Sequence, residues 1–522
     1  MINLKISILD STLRDGAQGV DISFSVNDKL AIAHALDEYG VGYIEAGNPA
    51  SNPKDLEFFA RAGELKLKNA KLAAFGSTRR KGITAEEDSN LKALLDANTP
   101  VVTIFGKSWD LHVKEILGAS LEENLSMISD SVRFLKSHGK EVIFDAEHFF
   151  DGYLADKVYA MSVLSAAARA GADVLCLCDT NGGTMPLILY RIVADVALVF
   201  PNTPLGIHTH NDTGCAVANS LLAAEAGASH IQGTFVGFGE RCGNADLSGV
   251  LPSLVLKSGM EVEGNIAQLF TTASKISEIA NVQLSASKPY VGKNAFSHKA
   301  GMHIDGVLKN STSFEHIEPS LVGNKRRFML SEVAGRGSVL EKVKPYAPEL
   351  RKDDPRLAEI ISKLKELEHF GYQFEAADAS FELLTRKLLG TFKTHFKLVL
   401  YKTIGEFPPL QGELPSTATI KVDVDGQTET TAAQGHGPVH ALDNAMRKAL
   451  CVFYPQLSEM KLTDYKVRVL DQKAATAAKV RVLIESTDAT GTWTTIGVSD
   501  DIIEASITAL IDSIEYKLSK DD

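Results

Sequence analysis

Two histidines, His208 and His210, stand two residues apart after Leu205-Gly206-Ile207, at the end of a run that reads as a short strand. On a strand, residues i and i+2 point to the same face, so the two imidazoles project side by side. Neutral imidazoles held that way make a ready pair of ligands for a divalent metal. An isolated His-x-His is more often two buried, hydrogen-bonded histidines. A metal site needs further donors.

Two other stretches offer them. The segment Asp10-Ser11-Thr12-Leu13-Arg14-Asp15-Gly16-Ala17-Gln18 follows the first strand-like run. There Asp15 can ligate a metal while Arg14 pairs with a substrate carboxylate or carbonyl. A surface ion pair or helix cap is the competing reading. Gly237-Phe238-Gly239-Glu240-Arg241-Cys242-Gly243-Asn244 follows the eighth run. Its glycines suit tight turns beside a ligand and Asn244 offers a neutral carbonyl oxygen, although a generic turn would look similar. Asp15, His208, His210 and Asn244 together supply two oxygens and two nitrogens. Coordination positions stay open for substrate, the pattern of a catalytic metal. Such mixed ligation suits Mn, Mg, Zn or Co alike.

These residues need a scaffold that gathers them. From Lys5 to about Gly259, short β-branched or apolar runs alternate with amphipathic stretches. The runs are Ile6–Leu9, Tyr43–Ala46, Leu72–Phe75, Val101–Phe105, Val142–Asp145, Val174–Cys178, Leu205–His208 and Ile231–Val236. Helix-like segments such as Asp28–Tyr39, Leu121–Ser137, Asp156–Ala170 and Val217–Ala226 separate them. Eight βα units in roughly 250 residues predict a TIM (β/α)8 barrel. A doubly wound sheet is disfavoured because no G-x-G-x-x-G follows the first strand. A barrel gathers the residues after each strand on one rim. Here those positions hold Arg14, Asp15, Glu45, Ser77, Arg79, Lys107, Glu147, Asp179, Thr180, His208, His210, Glu240 and Asn244.

The alternation stops near residue 260, so residues 1–260 are assigned to the catalytic barrel. Residues 261–410 read as helical accessory subdomains, with helical periodicity over Asn265–Ile279 and Leu330–Phe370 and a break at Pro345–Pro355. Prolines and glycine over Phe407–Pro415 mark a linker. Residues 411–522 read as an α+β domain with strands at Thr417–Asp425, Val467–Leu470, Val480–Glu485 and Trp493–Val498, and helices at Gly437–Val452 and Ile502–Leu518. This last domain has no convergent His/Asp/Cys cluster, which points to binding or assembly.

Composition narrows the partners. The chain has 522 residues, 44% hydrophobic and 23% charged, ordinary globular values. A net charge of -12 without a Lys/Arg run argues against nucleic acid. The longest apolar runs, around Val163–Cys178 and Leu187–Phe200, are interrupted by Arg or Asp, so no membrane span is expected. Met1 to Arg14 lacks a signal-peptide apolar core. Five thinly spread cysteines suit a reducing cytoplasm, and Cys176-x-Cys178 reads as core packing rather than a zinc pair.

Asp10–Gln18, the His208/His210 pair and Gly237–Asn244 resemble the signature set of the isopropylmalate/homocitrate/citramalate synthase family. The likeness extends through Gly106–Val113, Asp145–Tyr153 and Cys178–Thr184, which look most like the citramalate branch. Gly435–Val439 and Trp493–Ser506 resemble the C-terminal regulatory domain of these enzymes. The resemblance implies a metal-dependent Claisen condensation of acetyl-CoA with a 2-oxo acid, pyruvate in that branch, followed by thioester hydrolysis. It implies Asp15, His208, His210 and Asn244 as metal ligands, and Arg14 at the developing oxyanion. Thr180, Glu45 and Lys107 are implied as substrate-binding residues, and Glu147 as a rim carboxylate for positioning or proton transfer. It further implies a homodimer in which His303 of one copy removes a proton from acetyl-CoA bound in the other. Feedback control by isoleucine at the C-terminal domain follows from the same likeness, with a place in isoleucine biosynthesis. The chain departs from the family pattern at Ser313-Phe314-Glu315-His316, where Thr-Tyr-Glu-His is usual, and at Asn48, where an aromatic is commoner. Isopropylmalate or homocitrate synthesis, a 3-hydroxyacyl-CoA lyase on the same barrel and a non-catalytic metabolite sensor are the competing functions.

Overall fold

A computed structural model describes residues 5–329, 336–407, 414–470 and 478–520. It divides into two units, one of residues up to 296 with 316–326, the other of residues 297–315 with 327 onward.

In the first unit eight parallel strands close into a barrel: β1 Ser7–Asp10, β2 Tyr43–Gly47, β3 Lys71–Ser77, β4 Val101–Lys107, β5 Glu141–Glu147, β6 Val174–Asp179, β7 Leu205–Thr209 and β8 His230–Gly233. Closure is made by β1 against β8, with Ser7 opposite His230 and Asp10 opposite Gly233. All eight strands predicted from the alternation form, as a TIM barrel requires. The eighth is shorter than its apolar run implies. The ladder stops at Gly233, Thr234 bridges Asp246 instead of β1, and the chain turns at Phe235–Gly237 with Val236 at φ 56°. That early turn starts the loop carrying Asn244.

Local chemistry sets the helices between the strands. Ser25 and Asp28 form a reciprocal capping box at the start of helix Val26–Tyr39. That helix ends at Gly40, whose φ of 95° belongs to the left-handed region that an L side chain rarely adopts. Ser120 caps helix Leu121–Ser137, and Asp156 caps helix Lys157–Ala170. The helices bury their apolar faces on the barrel's outside. Its inside is filled by Leu9, Ala73, Val101, Ile143, Val174, Cys176 and Cys178. Both cysteines of the C-x-C pair are therefore packing residues, and burial pushes both thiols up, Cys178 to about 11.

The second unit begins with β9 Ser297–His298 paired to β10 Arg327–Phe328 and helix Gly301–Lys309. Helices Arg336–Val343 and Pro355–Phe370 flank the break foreseen at Pro345–Pro355, and helix Asp378–Leu389 follows. Residues 330–335, where the expected Leu330–Phe370 segment begins, and most of the Phe407–Pro415 linker lie outside the described residues. Two three-stranded antiparallel sheets complete the unit: β11 Lys397–Gly405, β12 Ser416–Val424 and β13 Gln427–Gly435, then β14 Lys461–Val469, β15 Val480–Asp488 and β16 Gly491–Ser499. Helices Pro438–Leu450 and Ile502–Lys520 bury Leu442, Met446, Leu510 and Ile514 against them.

Strands β11 and β13 were not foreseen. Most of β11 is exposed, so it lacks the alternation of a half-buried strand, and it lies ahead of residue 411. Almost wholly polar, β13 is fixed by a two-residue turn, Asp425 at φ 50° and Gly426 at φ 85°, which sets Gln427 opposite Val424. Asp-Gly is the usual sequence signal for such a hairpin.

Candidate active site

The site lies where the barrel strands end. Asp15 follows β1 at the head of a 3-10 turn, His208 is the fourth residue of β7, and His210 comes just after it. His208 and His210 project to the same side, their Nε2 atoms 3.3 Å apart. Asp15 Oδ2 lies 3.4 Å from His208 Nε2 and 3.9 Å from His210 Nε2. One ligand atom from each of the three residues falls within 4.8 Å of the others, and all three residues are buried. Asn244 joins them through a bridge between its backbone and that of His210. Its Nδ2 donates to the Phe238 carbonyl at 3.1 Å.

Unpaired atoms test whether these residues suit a cation. Asp15 Oδ1 and Asn244 Oδ1 are both buried without a hydrogen-bond partner. An orphaned carboxylate oxygen beside two facing imidazole nitrogens, with a second orphaned acceptor on the residue bridged to His210, costs free energy unless a cation or donor meets it. The donor set therefore fits a divalent metal with mixed N/O ligation.

Electrostatics keep Asp15 charged. Burial alone would raise its pKa, but Arg14, His208 and His210 outweigh burial and hold the carboxyl well below the usual range. For His210 burial dominates, with His208 adding, and its pKa falls to about 4. For His208 burial is outweighed by Asp15, which raises it.

Arg14 is the most constrained side chain here. Its Nε donates to Glu45 Oε2 at 2.6 Å and its Nη1 to Asp15 Oδ2 at 3.1 Å. The guanidinium carbon lies 3.7 Å from the centre of the Phe75 ring, a cation–π contact. Glu45, expected to bind substrate, is fully buried and also accepts from Ser11 Oγ at 2.6 Å. Its visible work is to hold Arg14.

Arg14, Asp15, His208 and His210 line a cavity of about 250 Å³, shared with Glu147 and Thr180. Glu147, the last residue of β5, forms an ion pair with Lys107, the last of β4. Thr180 Oγ1 accepts from the His148 backbone N–H at 2.9 Å. That N–H is aimed by a left-handed His148, φ 56°. The hydroxyl hydrogen of Thr180 can then be directed at a ligand.

His303 lies in the other unit. It is exposed on helix Gly301–Lys309, stacked on Phe314 with ring centroids 4.2 Å apart and planes 24° off parallel. The unusual phenylalanine thus serves as a platform for this imidazole.

Three residues at the site were not foreseen in these roles. Arg241 pairs with Asp212 and donates to the Thr180 carbonyl at 2.8 Å, closing the loop over the rim. Gln232 and Asp145 form a buried polar chain behind His208. A glutamine inside an apolar strand was the available signal, since buried amides must be hydrogen-bonded.

Barrel and rim define an HMGL-like barrel protein: the HMGL-like family model matches residues 5–281. The "homocitrate synthase post-HMGL domain-like" model matches residues 290–371, and the "LeuA allosteric (dimerisation) domain" model matches 375–518. The chain is 51% identical over 520 residues to (R)-citramalate synthase of Aquifex aeolicus, covering 99% of this chain and 98% of that one. It is 50% identical over 519 residues to (R)-citramalate synthase of Geobacter sulfurreducens, with the same coverage. Identity to a probable 2-isopropylmalate synthase of Methanosarcina mazei is 31% over 525 residues, covering 100% of this chain and 97% of the relative. The chain belongs to the (R)-citramalate synthase branch of the isopropylmalate/homocitrate/citramalate synthase family.

Proposed function

We propose that this chain condenses acetyl-CoA with pyruvate and hydrolyses the thioester, giving (R)-citramalate and CoA. The observation carrying this reading is identity of about half to citramalate synthases along 98–99% of both chains. It drops to 31% for the isopropylmalate relative.

A divalent metal held by Asp15, His208, His210 and Asn244 would supply Lewis-acid polarisation of the 2-oxo acid carbonyl. Arg14, locked by Glu45, Asp15 and Phe75, sets fixed positive charge where oxygen becomes negative in the transition state. Because it is already locked, little reorganisation is needed as charge develops. Thr180 directs its hydroxyl at the substrate carboxylate. Glu147, with Lys107 beside it, positions substrate and exchanges protons at the rim. His303, supplied by a second copy of the chain, takes the proton from the acetyl-CoA methyl, with Phe314 holding its ring flat. The dimer is supported by the match to the LeuA dimerisation domain.

We further assign to the C-terminal domain a feedback site for isoleucine, which places the enzyme in isoleucine biosynthesis in the cytoplasm. A cavity of about 750 Å³ beside helix Pro438–Leu450, lined by Val439, Arg447, Leu462 and Tyr465 among others, supports it. It combines apolar walls with two cations, Arg447, which is paired to Asp443, and Lys461, for an amino-acid carboxylate. Among the described residues no helix is long and apolar enough to cross a membrane.

The test is CoA thiol release from acetyl-CoA with Mn²⁺ or Mg²⁺ and pyruvate, 2-oxoisovalerate or 2-oxoglutarate in turn. Pyruvate-selective release is expected. Preference for 2-oxoisovalerate would reassign the chain to isopropylmalate synthesis, and no release with any of the three would remove the synthase reading.

A further inference from the structure

We infer that Gln232 is a positioning residue for the candidate metal centre, fixing His208 with its proton on Nδ1 so that Nε2 is free to bind a metal. The inference rests on the metal reading above and assigns a role to a residue that touches neither metal nor substrate. Gln232 sits on β8 directly opposite His208 on β7 in the barrel register. It is fully buried. His208 Nδ1 lies 3.0 Å from Gln232 Oε1. On its other side, Gln232 Nε2 donates to Asp145 Oδ1 at 2.9 Å. Asp145 comes from β5, so the contact runs through the barrel interior rather than along the sheet.

The direction of this chain follows from its far end. A carboxyl oxygen takes the amide NH2, which turns the amide carbonyl toward His208. Reversing the amide would set its carbonyl oxygen against Asp145 Oδ1 and its NH2 against His208 Nδ1. With the carbonyl facing it, Nδ1 must carry the hydrogen, and the Nε2 lone pair then points at Asp15 and His210. Metal-bound histidines usually donate their second ring N–H in this way, and loss of the partner typically weakens metal binding by about 10–100-fold.

The full-length chain, stripped of metal with a chelator, is titrated with Mn²⁺ alone and free Mn²⁺ is read by electron paramagnetic resonance. Gln232→Met keeps length and volume but removes the acceptor. Its Mn²⁺ dissociation constant should rise about tenfold or more. Gln232→Glu keeps an acceptor for Nδ1–H, its second carboxyl oxygen facing Asp145 Oδ1 through a shared proton as close buried carboxyls do, and its constant should stay within about threefold of the parent. Activity should agree: the Met variant should need proportionally more Mn²⁺ for half-maximal rate, while its rate at saturating Mn²⁺ stays within about threefold. A purely packing role would not move the Mn²⁺ requirement or be rescued by Glu. Parent-like affinity in the Met variant, or a Glu variant as weak as a residue without an acceptor, overturns the inference; if the Met variant does not fold, Gln232→Leu, which equally lacks an acceptor, is titrated in its place against the same expectation. His210→Ala is the control for the underlying reading. If that variant binds Mn²⁺ as the parent does, the metal site itself is misassigned; if it fails to bind while Gln232→Met binds normally, only the Gln232 role falls.

Discussion

His208 and His210 face each other through their Nε2 atoms at 3.3 Å, with Asp15 Oδ2 3.4 Å from the first and 3.9 Å from the second. Two imidazole nitrogens this close cannot both carry a proton. Either one donates to the other, or both lone pairs meet a cation.

The second arrangement predicts the first outcome. His210→Ala should lower turnover by about a thousandfold or more, the scale of a lost Lewis acid, while isoleucine binding at the site proposed in the C-terminal domain, read by calorimetry, stays as in the parent. Unchanged turnover would contradict the ligand set.

Thr180 accepts from His148 N–H, which leaves its hydroxyl hydrogen for a ligand. Thr180→Val keeps the shape and removes the donor. The pyruvate KM should rise about tenfold, as for one lost hydrogen bond to a charged group, with the acetyl-CoA KM unaffected. Steady-state kinetics with each substrate varied check this; equal effects on both would assign Thr180 to general packing.

The Phe314 ring, stacked on His303, implies that its face matters more than any hydroxyl. Phe314→Tyr preserves the stack and should leave kcat within about threefold. Phe314→Ala should lower kcat up to about tenfold, the scale of one aromatic contact. A large gain in the Tyr variant would show that the family hydroxyl is missed after all.

His230, at the start of β8, is buried with Nδ1 2.9 Å from Ser7 Oγ and Nε2 unpaired. Burial pushes its pKa down to about 4. Between pH 6.5 and 4 the unfolded chain therefore binds a proton that the folded chain does not, so stability falls as the medium is acidified. At pH 5 this one group should cost about 2 kcal/mol relative to pH 7. Urea unfolding of the barrel at both pH values should show His230→Gln losing less stability than the parent by that amount. Equal losses would mean that His230 titrates normally.

In the C-terminal domain Lys517 and Asp488 form a buried ion pair at 2.9 Å, their side chains 4% and 1% exposed. Removing one partner strands the other charge, so Lys517→Met should destabilise the domain by about 3–5 kcal/mol. Adding Asp488→Asn, which removes the charge but keeps Oδ1 as the acceptor for the Thr490 and Gly491 N–H groups, should recover most of the loss. A double variant as unstable as the sum of both singles would show that the pair contributes through packing alone.

Much of this protein is written in short-range pattern. Eight apolar runs at regular spacing specify the barrel because a barrel strand is a local apolar segment followed by its own helix. The rim positions follow from the same count, and that is why Asp15, His208 and Asn244 could be grouped from residues far apart in sequence. Strand β13 shows the limit: it is polar, and only pairing through the Asp425-Gly426 turn gives it strand geometry. Glu45 shows another. A carboxylate at a strand end looks like a ligand in sequence, yet here it is fully buried, 2.6 Å from Arg14 Nε.

Local pattern alone carries the order of the barrel's elements, the rim and the His-x-His pair, because period-two strand geometry makes neighbours of i and i+2. How those histidines are held depends on the closed barrel. The chain from Asp145 through Gln232 to His208 joins β5, β8 and β7 through the barrel interior. Contacts between strands distant in sequence depend on barrel closure and register, which no local pattern encodes. The facing Nε2 atoms at 3.3 Å are where the two levels meet: spacing put the rings on one side, and the closed barrel turned them toward Asp15.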